Sequence, residues 1–68
     1  MSFQVNEFRA EMVRQGMTVN DVSEKIGIDR ASMYRKMNGT SDFMRNEIEK
    51  IINVLHLSGD DVLRIFFA

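Results

Sequence analysis

At 68 residues the chain falls below the roughly 100–200 residues of an average domain. It is expected to form one domain over residues 1–68, with a core too small to enclose a deep catalytic pocket. Its 44% apolar and 28% charged content is that of an ordinary globular protein, and with no cysteine and one histidine, His56, it excludes a disulfide framework, a thiolate nucleophile and a multi-histidine metal site.

No proline occurs, and glycines at positions 16, 27, 39 and 59 punctuate what reads as a run of helices, predicting an all-α fold. From Val5 to about Gln15, Val5, Phe8 and Met12 recur at helical spacing opposite Glu7, Glu11 and Arg14, and Gly16 ends the helix. Thr18 to Asp21 fits a capping box that opens a second helix at Val19, with Val22 and Ile26 inward and Gly27 as its stop. Asp29 is placed to cap a third helix from Arg30 to about Met37, whose inner face holds Met33 and Met37. Asn38-Gly39 closes it. A polar loop leads to a fourth helix carrying Ile48, Ile51, Ile52 and Leu55 in the i, i+3, i+4, i+7 stripe, ending at His56, where a cation suits the helix dipole. Ser58 to Asp61 repeats the capping-box pattern and opens a fifth helix, Gly59 to about Phe67. Met12, Met33, Met37 and Met44 sit where core or semi-core residues belong, as flexible filler.

Two short helices joined by a glycine-containing turn are what a helix-turn-helix requires. Counting Val19 as the first motif position, apolar residues are needed at the fourth, eighth, tenth and fifteenth, a small residue at the fifth and glycine at the ninth. Val22, Ile26, Ile28, Met33, Ser23 and Gly27 occupy these places. Ser23 lets the helices cross closely, and Gly27 permits a positive φ in the turn. Charge is distributed to match. Between Lys25 and Arg45 five basic residues face two acids, whereas the remainder holds four basic and eight acidic residues, within a formal net charge of −1.

The stretch Met17 to Arg35, followed by Asn38-Gly39, resembles the Cro and lambda-repressor-like helix-turn-helix family, compact and usually five-helix regulators of phage and bacterial transcription. The resemblance covers roughly Val5 to Phe66. It implies a sequence-specific, double-stranded DNA-binding repressor of phage or prophage kind that inserts its third helix into the major groove and needs no cofactor, metal or small-molecule ligand. With Met33 and Met37 inward, 100° per residue turns Ala31, Ser32, Arg35 and Asn38 outward, with Arg30 and Tyr34 on the flank. The resemblance carries base contact to Arg30, Ala31 and Arg35, with Ser32 and Tyr34 beside them, and phosphate contact to Asn38 and Gly39. Thr40 and Lys36 extend this set, and Thr18, Lys25, Ser41 and Arg45 are weaker phosphate candidates. Two positions depart from the family pattern. Val19 stands where glutamine usually meets phosphate, and Lys36 stands at the commonly apolar eighteenth position, with Met37 taking the next place, so that the third helix is expected to sit slightly rotated.

No nucleophile, base and orienting group can be assembled, so an enzyme is not expected. The alternatives to a repressor are a small helical protein-interaction module or antirepressor that binds another regulator, and an antitoxin-type autoregulator. Val62, Leu63, Ile65, Phe66 and Phe67 present more apolar surface than one side of a small core needs. Either Phe66 or Phe67 contributes to a homodimer or a protein partner, or these residues cover the first helix and Phe3. No apolar run reaches the ~20 residues of a membrane span, and a signal pattern is absent, so no membrane contact is implied. The expected location is the cytoplasm of a bacterial cell, at the nucleoid when bound to DNA.

Overall fold

The starts of three helices follow the capping chemistry written in the chain. A computed structural model describes residues 3–68. It contains α1 (Val5–Arg14), α2 (Val19–Ile26), α3 (Arg30–Met37), α4 (Arg45–Leu55) and α5 (Gly59–Phe66), with no strand among the described residues. At the start of α2 the Thr18 hydroxyl accepts from the Asp21 amide at 3.0 Å, and the Asp21 carboxylate accepts from the Thr18 amide at 2.9 Å. Ser58 and Asp61 make the same reciprocal pair at α5, at 3.1 and 3.0 Å. Asp29 accepts from the Ser32 amide at 2.6 Å to begin α3. The fourth helix starts differently. Met44 at the cap position offers no oxygen, and the start is held from inside the helix, where the Glu47 carboxylate accepts from the Met44 amide at 2.8 Å.

The helix ends need a left-handed residue to turn the chain back. Gly27 supplies it for α2 at φ +81°, which lets the Ile28 amide reach the Ser23 carbonyl at 3.1 Å. At the end of α4 the same role falls to His56 at φ +51°, with the Leu57 amide on the Ile52 carbonyl at 3.0 Å. His56 is the described non-glycine residue with positive φ, and its Cβ makes that conformation strained.

The expected inward faces meet in one core of Phe8, Met12, Val22, Ile26, Met33, Met37, Ile51, Leu55, Leu57, Ile65 and Phe66. The second helix packs across α4 and α3, and α1 packs against α5. Ser23 is buried at the crossing, where its hydroxyl donates to the Val19 carbonyl at 2.7 Å, so a small residue is needed there for space and a hydroxyl is tolerated because it is bonded. Ionic contacts tie the first and last helices: Arg64 reaches Glu7, Glu11 and Asp61, and hydrogen bonds to Asp61 and Glu7 hold its guanidinium firmly protonated. Gln15 donates to the Leu55 carbonyl at 2.6 Å, closing the end of α4 against the end of α1.

One open alternative is decided and one expectation is corrected. Phe66 is 5% exposed and belongs to an aromatic cluster, with ring centroids 5.5 Å from Phe3 and 6.0 Å from Phe43, so it is core and not a partner surface. Phe67, the next residue, stays half exposed. Met44 is 62% exposed, not semi-core, because the cap position precedes the buried stripe of α4. The cluster also draws in Phe43, at 4.8 Å from Phe3, from a loop where no periodicity pointed inward.

Candidate nucleic-acid interface

The second helix is anchored by Val22 and Ile26, the turn by half-buried Ile28 and the third helix by Met33 and Met37, so the unit Val19 to Met37 is fixed to the body from one side. The other side of α3 is open. Arg30, Ala31, Tyr34 and Arg35 are exposed and Ser32 is half-buried, which is the outward face that the helical spacing predicted. Their geometry is partly set in advance. The Arg35 guanidinium donates to the Ser32 hydroxyl at 3.0 Å, and the Arg30 guanidinium lies 5.7 Å from the Tyr34 ring centroid, within reach of a cation–π contact. Hydrogen bonds from Ser32, with Arg35 nearby, hold the Asp29 carboxyl below the usual carboxylate range.

The loop after α3 is shaped by its own side chains. The Asn38 side-chain oxygen accepts from the Thr40 amide at 3.0 Å and from the Thr40 hydroxyl at 2.7 Å, and Gly39 takes φ +87°. The amides of Thr40 and Ser41 both turn back to the Arg35 carbonyl, at 2.9 and 3.1 Å. Asn38, Gly39 and Thr40 therefore form one exposed, ordered corner at the end of α3.

Lys36 is corrected. Its ammonium does not join the outer face: it donates to the Glu47 carboxylate at 2.9 Å and to the Asp42 carbonyl at 3.2 Å, with 13% of the side chain exposed. The reason is the approach of the next segment, which brings the Glu47 carboxylate and the Asp42 carbonyl within hydrogen-bond distance of the ammonium. Burial pushes the Glu47 carboxyl up, but the Met44 amide and the Lys36 ammonium outweigh it and leave the group below its ordinary value.

The remaining candidates are scattered. Lys25 is exposed near the end of α2, and Arg45, at the start of α4, pairs at 3.7 Å with Glu49 in full solvent. The Thr18 hydroxyl is occupied by the Asp21 amide, and Ser41 is half-buried. Val19 packs against the core, so apolar contact replaces the polar role its family position usually has. The Lys50 ammonium lies 3.5 Å from the Ile26 carbonyl, at the end of α2.

A short capped helix, a left-handed glycine turn and a third helix with one face open define a helix-turn-helix DNA-binding domain. The chain belongs to the Cro/C1-type HTH DNA-binding domain family, whose model matches residues 7–67. No curated protein and no solved structure matches it. Membership makes the protein a DNA-binding regulator with duplex DNA as its partner. No helix among the described residues is long and apolar enough to cross a membrane.

Proposed function

We propose that the protein is a sequence-specific repressor of phage or prophage kind, acting in the bacterial cytoplasm, that lays α3 in the major groove. The observation that carries this reading is the division of α3, with Met33 and Met37 buried and Arg30, Ala31, Tyr34 and Arg35 exposed on the other side. A groove about 12 Å wide admits such a helix. Arg35 then forks to guanine, the Ser32 hydroxyl bonds a base edge, and the Ala31 methyl meets thymine. Arg30 and Tyr34 flank the reading face. Asn38, Gly39 and Thr40 approach phosphate from the helix end, with Thr18, Lys25, Ser41 and Arg45 at the margin. Repression follows from occlusion of a promoter by the bound domain.

The test is selection from a randomised duplex library at near-physiological salt. One enriched sequence is the expected result. A palindrome with half-sites about 34–36 Å apart reports two copies related by a two-fold axis, and a single unsymmetrical site reports one. A folded protein that enriches nothing overturns the reading in favour of a protein-interaction module.

A further inference from the structure

The basic residue next to the reading face that points away from it is Lys36. Its ammonium lies between the Glu47 carboxylate, at 2.9 Å, and the Asp42 carbonyl, at 3.2 Å, and both charged side chains are nearly covered, at 13% and 9% exposure. One carboxylate oxygen, Oε1 of Glu47, serves two donors, Lys36 and the Met44 amide at 2.8 Å. Three segments therefore converge on a single ion pair: the last turn of α3, the loop through Asp42, and the first turn of α4. A covered pair of this kind gives little net stability, because desolvating both charges offsets most of their attraction, but it is directional and tolerates few alternative arrangements. An apolar side chain at position 36 would fill space without selecting a geometry.

We propose that Lys36 and Glu47 are positioning residues for DNA reading, which set the angle of α3 and the corner at residues 38–40 relative to α4 without touching DNA. The corner depends on the pair through the chain itself. The Thr40 and Ser41 amides hang from the Arg35 carbonyl, one residue before Lys36, and the segment is clamped again at Asp42. Release of the clamp frees the Asp42 end of that loop, so that the corner is held only from Arg35, while Met33 and Met37 keep α3 in the core.

The inference rests on the proposed reading by α3, and the experiment separates the two. Lys36→Met, Glu47→Gln and the double variant are compared with wild type on the duplex that wild type selects, across a salt series, with folding checked by circular dichroism. Glutamine keeps an oxygen for the Met44 amide, and the double variant leaves no unpaired charge, so it is the variant that retains the fold even where a single does not. The expected result is binding weakened by roughly tenfold in each folded variant, the scale on which residues act through a neighbour. The slope of log K against log salt stays unchanged, and the double variant is no weaker than the worse single.

Direct contact predicts the opposite signs. Glu47→Gln would then tighten binding by removing a negative charge and freeing the ammonium, and Lys36→Met would reduce the slope by about 0.9. Either outcome overturns the inference, as does a folded double variant that binds like wild type. Should wild type select no duplex, the α3 reading fails separately. The inference is then judged by hydrogen exchange at the Thr40 and Ser41 amides, where faster exchange in the double variant supports it and unchanged protection overturns it.

Discussion

Arg35 is exposed and its guanidinium is already oriented by the Ser32 hydroxyl, so in the proposed reading part of the cost of ordering a long side chain is met before DNA arrives. Arg35→Ala removes no core atom. It is expected to leave the unfolding midpoint unchanged and to cost about 1–3 kcal/mol of binding, with preference lost at one base-pair position. Repeating the duplex selection with the variant checks this; a consensus identical to that of wild type would remove Arg35 from the readout. The outward face of α3 was legible in the sequence because two buried methionines four residues apart fix the rotation of the helix. The direction of Lys36 was not, since its partner Glu47 lies eleven residues away across a loop and helical spacing carries no information about that approach. Phe43 was obscured for the same reason, and the two alternatives for Phe66 stayed open: an aromatic cluster built by a loop residue and two chain ends has no period to read.

At the scale of the helix, the boundaries were largely legible, because caps are local chemistry: Thr18, Asp29 and Ser58 each bond an amide three residues on. The start of α4 escaped for want of such a residue, as Met44 holds the cap position and Glu47 substitutes from within. The C-termini carry an asymmetry that gives two opposed predictions. Gly27→Ala puts a Cβ on a residue at φ +81° and, although the space around it is open, is expected to destabilise by about 1–2 kcal/mol. His56→Gly relieves the same strain at φ +51° and is expected to stabilise by about 0.5–1 kcal/mol, the relief exceeding the added freedom of the unfolded chain. Urea unfolding of both variants measures the pair, and a His56→Gly midpoint below that of wild type would show that the imidazole contributes more at the helix end than the backbone strain costs.

Over the whole molecule, four acids hold helix starts, at Asp21, Asp29, Glu47 and Asp61. Asp21 and Asp61 are held below the usual carboxylate range chiefly by hydrogen bonds from the Thr18 and Ser58 amides, and Asp29 by the Ser32 amide. For Glu47 burial acts upward, but the Met44 amide, Lys36 and Lys50 outweigh it and the net shift is downward. A carboxyl whose folded pKa lies below its unfolded value binds fewer protons in the native state, so its stabilisation is complete above the unfolded value, near pH 4, and is lost as the pH falls through the folded value. The domain is therefore expected to hold a constant contribution from these groups between about pH 5 and 7 and to lose it progressively below about pH 4. Glu47→Gln isolates one of the four. At pH 7 the variant lacks the charged acceptor for Lys36 and is expected to be less stable by about 1–2 kcal/mol. As the pH falls, wild-type Glu47 takes up a proton and comes to resemble glutamine in charge, so the two unfolding midpoints should converge. Urea titrations at pH 7, 5, 4 and 3 follow the gap. A gap constant across the range would mean that packing of the side chain, and not its charge beside Lys36, accounts for what Glu47 contributes.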